Sequence, residues 1–543
     1  MESVKPVQTL ELIERPAGSA GTGDAGALGR AVALHLAGKR EEALALLRAA
    51  AAGSDVSAEI WRALGHIEFE LDHFAEAAKS YASLTRLKPK YAAGWFDLAV
   101  SLERLEDWGK AAEAFEKAAE LDAGNLDAQL GLALCQMRRE NPREALRGFE
   151  GVLQSSPDHA DALFGMAAAL QALGQLDDAA KIYGRLLEGD PEAEEPLANL
   201  VLIGMAKRDF EVVREYAERL QELRPDSTVA LEGLAAWACA AGDNALAAKF
   251  CALLVAASPS HFEGWFNLGL AHQKAGRWQP AAEAYEEALK IRAQSAEAST
   301  NLGIVREQLG DTAGARAAYE RAQKSDPGSL APLWNLALLL ERAGQAEEAE
   351  RRYAYLLEKS PKEEEARFRL GYLRLRRGDH VAAMEAFEAC LRYRPQWPEA
   401  ALNLALASAG AGDRTRAERI YEKLLDADPR SLDALRGLAS LAVQASDFDS
   451  ALEYHVRLFD LGERSPELLY NTALMYEKTG QEEKALRLYR EALALAPGMP
   501  EALLNLGRIL ESTGKSEEAR ACWSKAFEAE PALAQGYFGP AID

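Results

Sequence analysis

The stretch NLGIVREQLGD, residues 301–311, follows NLGLAHQKAGR at 267–277 and precedes NLALLLERAGQ at 335–345, so one pattern returns every 34 residues. Prolines extend that period along the chain: Pro89, Pro157, Pro191, Pro225, Pro259, Pro327, Pro361, Pro395, Pro429, Pro497 and Pro531 are all separated by multiples of 34. With their position taken as 32, the frame runs from Asp24 to Leu533 as 15 contiguous repeats without an insertion. A fixed period of this length overrides the several globular domains that 543 residues would otherwise suggest, and points to one elongated array.

Within a repeat, apolar positions 4, 7, 8 and 11 share one helical face, as in Trp95, Leu98, Ala99 and Leu102. This predicts a first helix, A. Position 15 is often Gly, among them Gly242, Gly276, Gly310 and Gly344, which suits a left-handed residue just past a helix end. The next residue is often Asp (Asp243, Asp311, Asp379, Asp413, Asp447), able to accept a hydrogen bond from the amides that open a second helix, B. Positions 20, 24 and 27 give helix B its own face, as in Ala315, Tyr319 and Ala322. Small residues at 8 and 20 allow close approach of A and B, and the ring at 24 fills the surrounding volume. Proline at 32 ends helix B, because it lacks an amide proton and clashes with the preceding turn. Two short helices cannot bury such faces alone, so neighbouring repeats must supply the core.

W-x2-L-G, Ala at 20, Tyr or Phe at 24 and Pro at 32 together resemble the tetratricopeptide repeat (TPR). The resemblance covers Asp24 to Leu533 and implies an all-α fold, an α-solenoid wound as a right-handed superhelix of about 15 helix-turn-helix repeats. It implies protein–protein contact as the general use. The expected organisation is a flexible segment at 1–23, the array at 24–533 and a short tail at 534–543. Two repeats depart from the pattern and are expected to be the least regular. The first, 24–57, has Ala27 and Arg30 where large apolar residues belong, and the sixth, 194–227, has Val213 and Ala217 at positions 20 and 24.

Asparagine recurs at position 6, as Asn199, Asn267, Asn301, Asn335, Asn403, Asn471 and Asn505, although mid-helix Asn costs roughly 0.6 kcal/mol relative to Ala. Position 6 lies about 150° around helix A from the mean direction of the apolar face, so it is expected to point away from the core. By the resemblance, helix A lines the concave side of a TPR superhelix. The row is similar to the asparagine ladder of O-linked N-acetylglucosamine transferases, where such residues hold substrate backbone. An amide carries both donor and acceptor, so a ladder could grip an extended peptide without reading its sequence. The alternative is a solvating or neighbour-bonding role, and the sequence leaves both open.

Repeat eleven replaces the amide with Arg369 and adds Arg376, with Phe368 and Tyr372 beside them, a cluster suited to a peptide carboxylate or phosphate; solvated surface arginines are the alternative. Position 5 is aromatic (Phe96, Phe164, Phe266, Trp334, Phe368), so the Lys-based carboxylate clamp of the family is not reproduced.

With 85 acids against 62 bases and a net charge of −23, nucleic acid is a poor partner. No apolar run reaches the ~18–20 residues of a membrane span, and the start carries no signal-peptide pattern, so a cytoplasmic location is expected. The five cysteines form no CxxC pair and are expected to be small buried residues. The eight histidines match no HExxH or Cys/His spacing, so no metal, other cofactor or catalytic residue is expected. The function expected is a non-catalytic scaffold or adaptor for extended peptide segments. The alternative is a substrate-recruiting subunit for an enzyme, such as a glycosyltransferase, supplied by another chain. Trp523 and Phe527 on the last helix lack a full polar capping helix, because Pro540 interrupts the one that Tyr537 and Phe538 would start; the expected alternatives are self-association through that end or fold-back of the tail over it.

Overall fold

The computed structural model describes residues 24–53 and 56–536. Among them are 30 α-helices, a terminal 3-10 helix at Pro531–Gly536 and no strand. The expected segment at 1–23 and Tyr537, Phe538 and Pro540 lie outside the described residues. The chain divides into two compact bodies at 293/294, the first holding repeats one to eight and the second repeats nine to fifteen. No helix among the described residues is long and apolar enough to cross a membrane.

The 34-residue frame fixes every element. Helix A starts at position 1 and helix B at position 17 in all repeats, as in Leu330–Arg342 with Ala346–Lys359. Position 15 is left-handed throughout: Gly310 has φ +78° and Gly344 +73°, and Asp72, Glu106, Glu140, Arg208 and Ser446 adopt φ of 56–60° without being glycine. The turn geometry is therefore set by the array, and glycine lowers its cost where present. At position 16 the carboxylates of Asp243, Asp311, Asp379, Asp413 and Asp447 accept from the backbone N–H three residues on, closing the start of helix B. The residue before proline is extended, as in Ser258 at φ −135°, ψ 85°, and this terminates helix B.

Helices A and B meet over the small residues. Ala315, Ala349 and Ala383 at position 20 are fully buried, and a Cβ on Gly303 would lie 2.4 Å from the Tyr319 ring. Position 5 adds a second ring: Phe96 on Phe115, Phe164 on Tyr183, Trp334 on Tyr353 and Phe368 on Phe387 pack edge to face at 5.5–5.9 Å. Aromatic position 5 is thus a packing position.

Two expectations need correction. The sixth repeat is not irregular, because Val213 and Ala217 are buried in the core cluster of the first body and smaller side chains are matched by close approach of Gly204 and Gly233. Only three of the five cysteines are buried; Cys239 is exposed and Cys522 is intermediate.

Candidate functional site

Where position 6 is glycine, it does not point away from the core. A Cβ on Gly131 would lie 2.6 Å from Phe115, on Gly165 2.4 Å from Phe149, and on Gly437 2.4 Å from Tyr421. Each of these glycines is at position 6, and each ring is at position 24 of the preceding repeat. Helix A therefore has two buried neighbours, its own helix B and the repeat before it, and position 6 sits over the seam between repeats. An angle computed on one isolated helix against a single core direction misses the second neighbour.

Polar residues organise the same seam. Position 12 of one helix A faces positions 6, 9 and 13 of the next. Arg369 at position 6 donates to Glu341 at 3.3 Å, Arg342 at position 13 donates to Glu307 at 3.2 Å, and Arg508 at position 9 pairs with Glu477. The buried phenol at position 24 completes each set, with Tyr353 donating to Glu341 at 2.6 Å and Tyr489 donating to Glu477 at 3.0 Å. Burial, followed by the bond to Glu341, pushes the Tyr353 phenol well above its ordinary range, so it stays a donor. A Tyr–Glu–Arg relay thus ties helix B to two successive A helices.

This geometry sorts the candidate residues. Asn199 and Asn403 donate to the carbonyls of Glu195 and Glu399 on their own helices, at 2.9 and 2.8 Å. Asn505 donates to the Tyr470 hydroxyl at 3.2 Å. These three amides have one donor occupied. The side chains of Asn335 and Asn471 make no hydrogen bond within the described residues of the second body, and the same holds for Asn267 in the first; Asn335 is half-buried and the other two are exposed. Asn301, half-buried, opens the row in the second body. Position 9 runs beside that row with Ile304, Leu338, Tyr372 and Leu406, the last two 39% and 51% exposed. The second body therefore presents an amide at position 6 beside an apolar side chain at position 9 in repeats nine, ten, twelve and fourteen.

The basic cluster of repeat eleven is only partly as expected. Arg369 is held by Glu341 and, at 3.1 Å, by Glu365, so its charge is already compensated. Phe368 is stacked on Trp397 at 4.9 Å and packed against Phe387, so it does not flank the arginines as a free ring. Arg376 and Tyr372 are exposed and line a cavity of about 710 Å³ together with Arg316, Arg351 and Glu348. Arg316 is paired with Glu348 at 2.7 Å, whereas Arg351 and Arg376 have no ion pair among the described residues. Arg351 carries no signal in the sequence, because it stands on helix B and lines the same cavity as Arg376 only across the seam.

The register seen in the helices is also the register of a known repeat. A family model described as tetratricopeptide repeat matches residues 62–128, 266–329, 335–401 and 402–457, and a second model of the same description matches 138–201. The chain belongs to the tetratricopeptide repeat family. The TPR array is also matched over 435–538 by the model of the cilia and flagella-associated protein 70 middle TPR-like domain. No curated protein matches the TPR array. Among solved structures, it is similar to the MamA protein at 23% identity, over 32% of this chain and 94% of that one, with a TM-score of 0.31. A tetratricopeptide repeat protein from Parabacteroides merdae is 20% identical, over 50% of this chain and 100% of that one, with a TM-score of 0.34. YrrB, described as a TPR protein with an unusual peptide-binding site, is 20% identical, over 32% of this chain and 91% of that one, with a TM-score of 0.31.

Proposed function

We propose that this TPR chain is a non-catalytic scaffold that binds extended segments of other proteins along the helix A rows of its second body. The observation that carries this reading is the pairing of two rows with the same period: amides at position 6, of which Asn335 and Asn471 have no partner of their own, and apolar side chains at position 9. A peptide backbone offers one N–H and one C=O per residue, which an amide can satisfy together, while its side chains find Leu338, Tyr372 and Leu406. Arg351 and Arg376 add a place for an acidic side chain, so segments with interspersed Asp or Glu are favoured.

Site-specific photocrosslinking tests the surface. A photoreactive residue in place of Leu338 is expected to capture protein partners in cells, whereas the same residue in place of Glu358, exposed on helix B, is expected to capture none of them. Equal capture from both positions would remove the helix A rows as the binding surface.

A further inference from the structure

The seam that holds Glu and Arg in the middle of the array holds a different set at its start. His35 is at position 12 of the first helix, Asp24–Leu36, and His66 and Glu70 are at positions 9 and 13 of Ala58–Glu70. We propose that these three side chains form a binding site for a divalent transition-metal ion of the zinc class, which fastens the first helix of the array to the A helix of the second repeat.

The spacing fits such an ion. His35 Nδ1 is 3.6 Å from Glu70 Oε2, and His66 Nε2 is 3.4 Å from Glu70 Oε1. Two ligands about 2.0–2.1 Å from a tetrahedral ion stand roughly 3.4 Å apart, so both separations are close to what shared coordination needs. One ligand atom from each residue can be chosen so that all three lie within 4.8 Å of one another, which rotation of the side chains can close. His66 and Glu70 are one helical turn apart and project from the same face.

His35 Nδ1 is shielded from solvent and makes no hydrogen bond, a state that buried polar atoms rarely occupy without a partner, and Glu70 Oε2, equally shielded, makes none either and meets Arg40 only as an ion pair. His35 Nδ1 and Glu70 Oε2 face each other at a distance too long for a hydrogen bond and suited to an intervening cation. The side chains are 26% exposed for His35 and Glu70 and 40% for His66, so water can reach the remaining coordination positions. Two imidazoles with one carboxylate select zinc, cobalt, nickel or iron(II) over calcium and magnesium, which prefer all-oxygen sets.

Two cations, Arg62 and Arg40, stand close enough to oppose the ion. Arg40 Nε lies 3.2 Å from Glu70 Oε2 and must swing aside, which its half-exposed side chain permits. The structural gain would fall where the array is weakest, since the first repeat carries Ala27 and Arg30 in place of large apolar residues.

The test is calorimetric titration of the metal-stripped full chain with Zn²⁺, followed by Co²⁺ absorption spectroscopy. A single site is expected, with affinity reduced at least about 100-fold by His66→Ala or Glu70→Gln, because loss of a ligand exceeds the usual cost of losing an outer partner. Arg40→Ala is expected to tighten binding, an effect opposite in sign to any loss of folding, and His272→Ala is expected to change nothing. Absence of stoichiometric binding, or affinities of the His66→Ala and Arg40→Ala proteins within threefold of the parent, would leave an ion-pair cluster only and overturn the proposal.

Discussion

Removing one carboxylate should loosen two repeats at once. Glu341 accepts from the buried Tyr353 phenol at 2.6 Å and from Arg369 of the next repeat at 3.3 and 3.4 Å. Glu341→Ala strands the phenol, whose residue has no solvent exposure, and a hydrogen bond to a charged acceptor contributes about 1.5–3 kcal/mol. The ion pair is partly solvated, with Arg369 33% and Glu341 18% exposed, and adds roughly 0.5–1 kcal/mol. The expected local loss is about 2–4 kcal/mol. A repeat array does not unfold as a two-state unit, so the measurement is native-state hydrogen exchange in Ala346–Lys359 and Glu364–Arg377. Protection in both helices should fall together, and Tyr353→Phe introduced into the Glu341→Ala background should restore about half of it. Protection within threefold of the parent would refute the relay as a source of stability.

Three further outcomes test the seam and the turns. Glu106→Gly should stabilise the third repeat by about 1 kcal/mol in thermal or exchange measurements, because Glu106 holds φ +58° where other repeats use glycine. Gly437→Asn should destabilise repeats twelve and thirteen by about 1–3 kcal/mol, since its Cβ would meet the Tyr421 ring at 2.4 Å; a neutral result would contradict the placement of position 6 against the preceding repeat. Asp97, also at position 6, has its carboxyl raised to about 7 by burial, so the native state holds its proton more tightly than the unfolded chain and stability falls as pH rises from about 4 through 7. Asp97→Asn should therefore gain about 1–2 kcal/mol at pH 8 and nothing at pH 4, and an equal gain at both would exclude the titration as its cause.

The array itself was legible because its signals are local. Proline at 32, the left-handed residue at 15 and Asp at 16 each act within a few residues of where they stand, so the helix boundaries follow directly. The seam was less legible because its contacts join residues 27 to 35 apart. Arg369 reads as a free cation until Glu341, 28 residues earlier, is placed beside it, and Phe368 reads as a flanking ring until Trp397 is stacked upon it. A usable signal was nevertheless present: glycine alternates with asparagine at position 6, as Gly131, Gly165, Gly233 and Gly437, and a solvent-facing helical position has no need of glycine. Likewise the recurrence of Glu at 12 with Arg in the following helix A, in Glu307 with Arg342 and Glu477 with Arg508, foreshadows the relay. The histidine cluster follows the same offsets, which is why no short ligand motif marks it.

The most direct test of the scaffold function is a random-peptide selection on the full chain, with the selected peptides measured against the parent and against Asn301→Ala/Asn335→Ala protein matched for fold by circular dichroism. Peptides of varied sequence, carrying apolar and acidic residues, are expected, with an affinity that drops at least about tenfold in the variant, corresponding to about 1.4 kcal/mol for the lost amide contacts. Peptides that bind both proteins equally would contradict this reading, and would leave these asparagines as residues of the seam alone.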